Sequence, residues 1–470
     1  MSITLDKNIE EKLLKYQRDH TRNLIYIINK NTTALDASDT GTGKTYCAIA
    51  LCKQLKLKPL IICPKSVIRS WESVCKVFDI KPYFIVNYET IKIGKNYDSK
   101  GERTKSDFLN ILEKKLENGK KEIDYEWIFD ENEKKDIIMI FDEVHKCSDI
   151  NTLNGKLLYT AKKLEMKMLI LSATVCDHPE NFRLFFYVLN FIEPEQVKKT
   201  NMSYQKYQYI IQNWIMRDAK PLWRIHHMLF PDRGSRIRID TLGDMFPETQ
   251  ITATPYNMDK KREEEIQKEY SKISEEIEEL KDKTKKDKNN ILVKLLRAQQ
   301  KIELLKIPLF LQLTNDFLEN NYSVVIFINF TQTLETLSKE LHTDCIIYGE
   351  QTSDIRQKNI DRFMENKSRV ILVNIKAGGV GISLHDKNGN HPRVSLISPT
   401  WSSVDLIQAL GRIHRAGGKS KSLQRILYVA NTVEEKIADK IQQKVANINT
   451  INNGDLDLTN IVYERDRKNI

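Results

Sequence analysis

No run of about 18 apolar residues occurs in the 470-residue chain, so the sequence predicts no membrane-spanning helix. The first residues, Met1 to Glu11, carry acids and lack an apolar stretch, which argues against a secretory leader. Cysteine is sparse: seven residues, an odd number, without CxxC spacing. That pattern excludes a disulfide framework and a zinc site, and predicts free thiols in a reducing, intracellular compartment. An excess of acid is also missing. Lys and Arg outnumber Asp and Glu by 74 to 64, for a net charge of +10. The balance permits a polyanionic partner without choosing between nucleic acid and anionic lipid. With 29% charged and 40% hydrophobic residues, what remains is a soluble globular chain long enough for several domains.

Against these absences stands Ser38-Asp39-Thr40-Gly41-Thr42-Gly43-Lys44-Thr45. A β-branched and apolar lead-in (Thr33, Ala34, Leu35) precedes it. A helical pattern with Ala48, Ile49, Cys52 and Leu55 on one face follows. Strand, glycine-rich turn and helix is the context of a phosphate-binding loop. The glycines let backbone N–H groups curl around an anion, and the helix N-terminus and Lys44 add positive charge. Thr45 is placed to hold Mg²⁺ through its hydroxyl. Ser38 stands where the general pattern has its first glycine, so the loop alone says only that a nucleoside triphosphate binds, ATP being the expected one. Upstream, Gln17 offers a donor and an acceptor together, which suits an adenine edge.

A second signal is the apolar strand Ile137 to Phe141 running into Asp142-Glu143-Val144-His145. Two adjacent carboxylates at the end of a buried strand are costly unless a cation or a reaction uses them. Asp142 suits a water-bridged Mg²⁺, and Glu143 suits polarising the water that attacks a γ-phosphate. The next predicted strand, Met168 to Leu171, ends in Ser172-Ala173-Thr174, beside the acidic pair in a parallel sheet.

Further strands are predicted at 59–64 and 83–86. The polar run at about 95–135 reads as a surface insertion. From Pro179 to about Pro255 the chain reads as helical and aromatic, with an arginine-rich stretch at Arg233, Arg236 and Arg238. Apolar residues at 4-3-4-3 spacing predict an antiparallel helical hairpin over 260–306 with a lysine-rich tip. A second strand–helix alternation follows, with strands at 324–330, 345–348, 370–373, 394–398 and 426–429, and implies another parallel sheet. In it, Gly411-Arg412-Ile413-His414-Arg415 is expected on a helix. Two guanidinium groups one turn apart would suit a γ-phosphate.

Taken in order, these motifs resemble the superfamily 2 helicases, most closely the Swi/Snf-like group of double-stranded DNA translocases. The resemblance spans about residues 10 to 445. It is carried also by Leu35-Asp36-Ala37, Pro64-Lys65-Ser66 with Trp71, Pro179 to Pro194, Ala377 to Gly381, and Pro399-Thr400-Trp401 leading to Asp405 and Gln408. It implies two RecA-like α/β lobes with an inserted helical region and the hairpin between them. It also implies that Gln17, Asp39 to Thr45, Gly379 and Gly381 bind ATP, and that Arg412 and Arg415 complete the catalytic set with Lys44, Thr45, Asp142 and Glu143. His145, Ser172, Thr174 and Gln408 would couple hydrolysis to lobe movement. Lys65, Ser66, Asn87 and Tyr88 in lobe one, with Asn329, Phe330, Lys376, Gly378 and Trp401 in lobe two, would line the DNA path. Three positions depart from the group. Ser172-Ala173-Thr174 replaces threonine-glycine-threonine, a form commoner in strand-separating relatives. Gly411 replaces the usual aspartate, and Gly418 the usual glutamine. Compact motors rich in lysine and asparagine are similar to those of large DNA viruses.

The expected division is therefore an ATP-binding lobe over 1–195, a helical region over 196–306, a second lobe over 307–445 and a tail over 446–470. The expected activity is ATP-dependent movement along, or opening of, DNA, duplex rather than single-stranded. The chain would be a plausible monomer with no membrane partner, recruited by an unspecified protein. An RNA helicase and a slowly turning nucleotide-switched clamp are the alternatives.

Overall fold

The computed structural model describes residues 3–98, 101–115, 121–175, 179–191, 221–242, 246–279, 285–378, 381–400 and 402–432, with isolated positions besides. The chain divides into two units, the first within residues 1–243 and the second within 244–445.

In the first unit the strands are β1 (Thr33–Asp36), β2 (Lys58–Cys63), β3 (Phe84–Asn87), β4 (Lys95–Tyr97), β5 (Arg103–Lys105), β6 (Leu109–Lys115), β7 (Lys121–Trp127), β8 (Ile137–Asp142), β9 (Lys167–Leu171) and β10 (Gly234–Ser235). Six of them form one sheet in the order β10-β1-β9-β8-β2-β3, parallel throughout. The run Ile137 to Phe141 is buried residue by residue, as a parallel strand covered on both faces requires. Parallel order also sends every C-terminal strand end to one edge, where the phosphate loop leaves β1 and Asp142-Glu143 leaves β8.

The stretch expected as a surface insertion is more structured than its polarity suggests. It forms two antiparallel hairpins, β4–β5 and β6–β7. Phe108, Leu109, Tyr125, Trp127 and Phe129 from it are buried in the first core. Phe108 meets Phe84 of β3 with ring centroids 4.9 Å apart, so the hairpins cover the edge of the sheet. Alternation hides this in the sequence, because the outward residues of β7, Glu122, Asp124 and Glu126, are charged.

The second unit has β11 (Thr249–Asn257), β12 (Ser323–Ile328), β13 (Ile346–Ile347), β14 (Val370–Asn374), β15 (Arg393–Ile397) and β16 (Ser422–Val429), joined in the order β13-β14-β12-β15-β16-β11. Val325 and Phe327 face one core cluster while Val324, Ile326 and Ile328 face another, so both faces of β12 are covered. Five of these strands match expectation. β11 does not, since its sequence reads as helical. It pairs in parallel with β16 from Thr249↔Ser422 to Tyr256↔Val429. Pro255 within it removes a donor and masks the strand in the sequence.

The helical hairpin is present as Lys260–Glu279 and Lys285–Leu305; its tip, 280–284, lies outside the described residues. Ile266 and Ile302 are buried in the core of the second unit, and Lys301 pairs with Glu269 across the arms at 2.7 Å. The region expected as a separate helical domain over 196–306 is thus split. Its β10 belongs to the first sheet, and β11 with the hairpin belongs to the second unit. The expected tail over 446–470 lies almost wholly outside the described residues, short strand segments excepted.

Six cysteines among the described residues are free and buried. No helix among those residues is long and apolar enough to cross a membrane.

Candidate nucleotide and nucleic-acid sites

The phosphate loop bridges β1 and the helix Lys44–Gln54. Gly41 and Gly43 take φ of 87° and 91°, a region L side chains avoid. A Cβ on Gly43 would also come 2.2 Å from Gln17 Nε2. Gln17 is buried beneath the loop. Its Nε2 donates to the Thr42 carbonyl at 2.9 Å and its Oε1 accepts from Leu14 N–H at 2.9 Å. The residue expected on an adenine edge thus also braces the loop. Lys44 folds back so that Nζ donates to the Ser38 and Asp39 carbonyls at 2.8 and 3.2 Å. It thereby satisfies itself within the loop that a phosphate would occupy.

Behind the loop lies a buried polar group that sequence reasoning assigned no role. Asp36 Oδ1 accepts from Ser38 N–H at 3.0 Å and sits 3.1 Å from His20 Nε2. The His20 ring also lies 2.9 Å from Ser235 Oγ on β10. Burial alone would raise the Asp36 pKa, but His20, Lys44 and Ser38 together hold it below the ordinary carboxylate value.

At the end of β8 both expected carboxylates are anchored. Asp142 Oδ2 accepts from Trp71 Nε1 at 3.0 Å, and Oδ1 from Glu143 N–H at 3.0 Å. Burial, then repulsion from Glu143, pushes the Asp142 pKa up to about 7, against the pull of Trp71 and Lys44. A divalent cation held by Asp142 and the Thr45 hydroxyl would relieve that repulsion, so these residues fit Mg²⁺. Glu143 adopts φ 53°, ψ 50°, a left-handed conformation that costs a non-glycine residue energy and turns its side chain back toward the loop following β8. Its Oε2 lies 3.4 Å from His145 Nδ1, which lies 3.2 Å from Ser172 Oγ. Ser172 Oγ in turn donates to the Thr174 carbonyl at 3.0 Å. The structure thus joins Glu143, His145, Ser172 and Thr174 into one polar chain across two strand ends.

The expected nucleic-acid residues of the first unit divide. Lys65 is exposed and Ser66 half-buried, on the 3₁₀ turn after β2. Asn87 and Tyr88 are buried, at 1% and 2% exposure, and do not line a surface path. Asn87 Oδ1 accepts from Tyr97 OH at 2.6 Å, and Tyr88 OH donates to the Asp142 carbonyl at 2.8 Å. Burial pushes the Tyr88 phenol well above its ordinary pKa. Tyr97 of β4 covers Asn87 at the end of β3, while Tyr88 turns into the core toward Asp142, and no local pattern reveals either partner.

In the second unit the strand ends converge on Glu303 of the hairpin, a residue missed from sequence. Its Oε2 accepts from Asn329 N–H at 2.8 Å and Asn329 Nδ2 at 2.9 Å, and its Oε1 from Phe330 N–H at 3.0 Å. Asn329 Nδ2 also donates to the Pro399 carbonyl at 2.9 Å, and Asn374 Nδ2 to the Asn329 carbonyl at 3.0 Å. Lys376 is exposed just beyond β14. Gly378 ends the helix Ile375–Gly378, and Gly381 has φ 81°. Gly379 and Trp401 lie outside the described residues.

The pair Arg412 and Arg415 is not helical. The helix Ser403–Leu410 stops at Gly411, the poorest helix former apart from proline, and tight turns follow. Arg412 is buried and its Nη1 donates to the Ile382 carbonyl at 3.3 Å. Arg415 is half-buried, with Nε on the Gly411 carbonyl at 3.1 Å. Gln408 is buried on the preceding helix.

Two family models match this arrangement: "Type III restriction enzyme, res subunit" over residues 10–177 and "Helicase conserved C-terminal domain" over residues 300–417. A protein of Acanthamoeba polyphaga mimivirus named "Putative ATP-dependent RNA helicase L364" is 41% identical, across 97% of this chain and 86% of its own. The CHD3-type chromatin-remodeling factor CHR7 of Arabidopsis thaliana is 25% identical, across 92% of this chain and 36% of its own. Saccharomyces cerevisiae Dbp5, solved with RNA and ADP BeF3, shares the two-lobed fold. Its TM-score is 0.50 at 14% identity, over 98% of this chain and 94% of that one. The chain belongs to the superfamily 2 helicases, with an ATPase core built on two parallel-sheet lobes, and the mimivirus protein accords with the expected viral resemblance.

Proposed function

We propose that the chain is a DNA-dependent ATPase that translocates along, or locally opens, duplex DNA, gripping the phosphate backbone with little sequence preference. The observation that carries the ATPase part is the convergence of Lys44, Asp142, Glu143, His145 and Ser172 at one edge of the first sheet. Lys44 exchanges the Ser38 and Asp39 carbonyls for phosphate oxygens, while N–H groups of the glycine loop surround the anion. Thr45 and Asp142 would hold Mg²⁺, which supplies charge neutralisation to the phosphates. Glu143 orients the attacking water and takes its proton. His145, in contact with both Glu143 and Ser172, passes the change of charge to the Ser172–Thr174 turn. The second lobe contributes Arg412 and Arg415 to turnover, with Gly379, Gly381 and Gln408 as supporting residues.

Nucleic acid is gripped by strand-end residues, exposed Lys65 with half-buried Ser66 in one lobe and exposed Lys376 with the half-buried Asn329–Phe330 turn in the other. Similarity over most of the chain to a factor named for chromatin remodelling supports duplex DNA. We place the protein as a monomer in a reducing intracellular compartment, recruited by a separate protein. The second reading, an RNA helicase, is favoured by the mimivirus relative's name.

ATP hydrolysis measured with duplex DNA, single-stranded DNA and single-stranded RNA separates the two. Duplex DNA is expected to stimulate most. If about 6–10 phosphates are gripped, affinity falls about 10³–10⁵-fold between 50 and 200 mM salt. Stimulation by RNA alone hands the assignment to the second reading, and a flat salt profile removes the backbone grip.

A further inference from the structure

The segment after the helix Pro221–Leu229 runs beside the phosphate loop for its whole first half. Leu35, Ala37 and Asp39 each donate their N–H, at 3.0 Å, to the carbonyls of Arg233, Ser235 and Ile237. In return Ile237 N–H donates to Ser38 Oγ and Ile239 N–H to Asp39 Oδ2, both at 2.9 Å. The other Asp39 oxygen, Oδ1, takes Arg236 Nη2 at 2.5 Å. Arg236 is only 10% exposed, and its Nε and Nη1 are shut off from solvent without a hydrogen-bond partner.

A buried guanidinium with two unmet N–H groups is expensive unless an anion compensates it. Asp39 does so, and Asp39 has its own problem. It is a carboxylate on the loop whose neighbours in sequence, Gly41 to Lys44, form an anion cradle, and Lys44 Nζ lies 3.2 Å from its carbonyl oxygen. Left alone, that negative charge would repel a triphosphate. The backbone hydrogen bonds to Ile237 and Ile239 need no arginine, so scaffolding of the loop does not by itself account for the ion pair.

We propose that Arg236 is a positioning residue of the nucleotide site: it neutralises and pins Asp39, and so sets the affinity of the loop for a triphosphate. The proposal rests on the reading that this loop binds ATP.

The test measures binding of a fluorescent ATP analogue, with KM and kcat for ATP, in the full chain and its variants. Arg236→Ala is expected to weaken analogue binding and raise KM about tenfold, with kcat less affected. Adding Asp39→Asn to Arg236→Ala is expected to recover most of that loss, because removing the carboxylate removes the need for its partner. Arg236→Ala binding like the parent, or a double variant no better than Arg236→Ala, overturns the proposal. Where circular dichroism shows the alanine variant unfolded, Arg236→Lys takes its place. Binding within about threefold of the parent supports neutralisation, and a tenfold loss that Asp39→Asn does not relieve overturns it. A parent chain that fails to bind the analogue at all refutes the ATP reading instead.

Discussion

The two lobes share an architecture and differ in what they place at the C-terminal edge of the sheet. In the first, that edge gathers ionisable groups: Lys44, Asp36 and Asp142, held by hydrogen bonds of 2.8, 3.0 and 3.0 Å, and Glu143 in a left-handed backbone. In the second it gathers amides. Asn329 and Asn374 knit three strand ends together around a single carboxylate, Glu303. The difference is chemical. A site for a charge-developing reaction needs fixed charges whose protonation can be tuned, whereas a surface that grips a uniform backbone needs rigid loops with stable geometry.

The buried lysines reverse that contrast. Lys306 in the second unit meets Glu434 at 2.8 Å, while Lys162 in the first donates to the Thr33 hydroxyl at 3.0 Å. Burial lowers the Lys162 pKa from 10.5 to about 8, against a smaller opposing pull from Glu165.

The sharpest way to separate the lobes is Glu143→Gln. It is expected to lower kcat about 10²–10⁴-fold while ATP remains bound, measured by steady-state hydrolysis and nucleotide retention. A variant as active as the parent would remove Glu143 from the mechanism. Glu303→Ala should do the opposite. It leaves the Asn329 and Phe330 N–H groups without their buried acceptor, at about 1–3 kcal/mol each, and should weaken nucleic-acid binding while sparing ATP affinity. Denaturant titration and nucleic-acid binding check it; equal losses of ATP and nucleic-acid affinity would erase the proposed division of labour.

Lys162→Met is expected to stabilise the first lobe at pH 7, by up to roughly 3 kcal/mol, because both folded and unfolded lysine are then charged and only the folded one is buried. Between about pH 8 and 10.5 the unfolded chain binds more protons than the folded one, so the parent gains stability as pH rises and the gap should close. Thermal melts across that range read it, and a gap constant with pH would show that Lys162 is not buried as a cation. The smallest effect belongs to Tyr88→Phe. Losing the hydrogen bond to the Asp142 carbonyl should cost about 1 kcal/mol and leave nucleic-acid affinity unchanged. A selective loss of nucleic-acid binding would return Tyr88 to the surface role its burial denies.

Much of this protein can be read from local pattern. The run Ile137 to Phe141 could only be a strand covered on both sides, and the glycines around Lys44 could only sit in a turn with positive φ. The order of Lys44, Asp142 and Glu143 along the chain, each at the end of such a strand, follows from alternation of strand and helix. Periodicity and backbone sterics act over a few residues, so a short window contains them.

What the fold alone decided involves partners far apart in the chain. Arg236 meets Asp39 across 197 positions, and Asn329 meets Glu303 only because the hairpin lies on the second sheet. Asn87 is covered because Tyr97 of the later insertion turns back onto it, and Arg412 points inward because Gly411 ends its helix early. A side chain's polarity states what it can bond to, but only the packing of distant segments determines which bond is within reach.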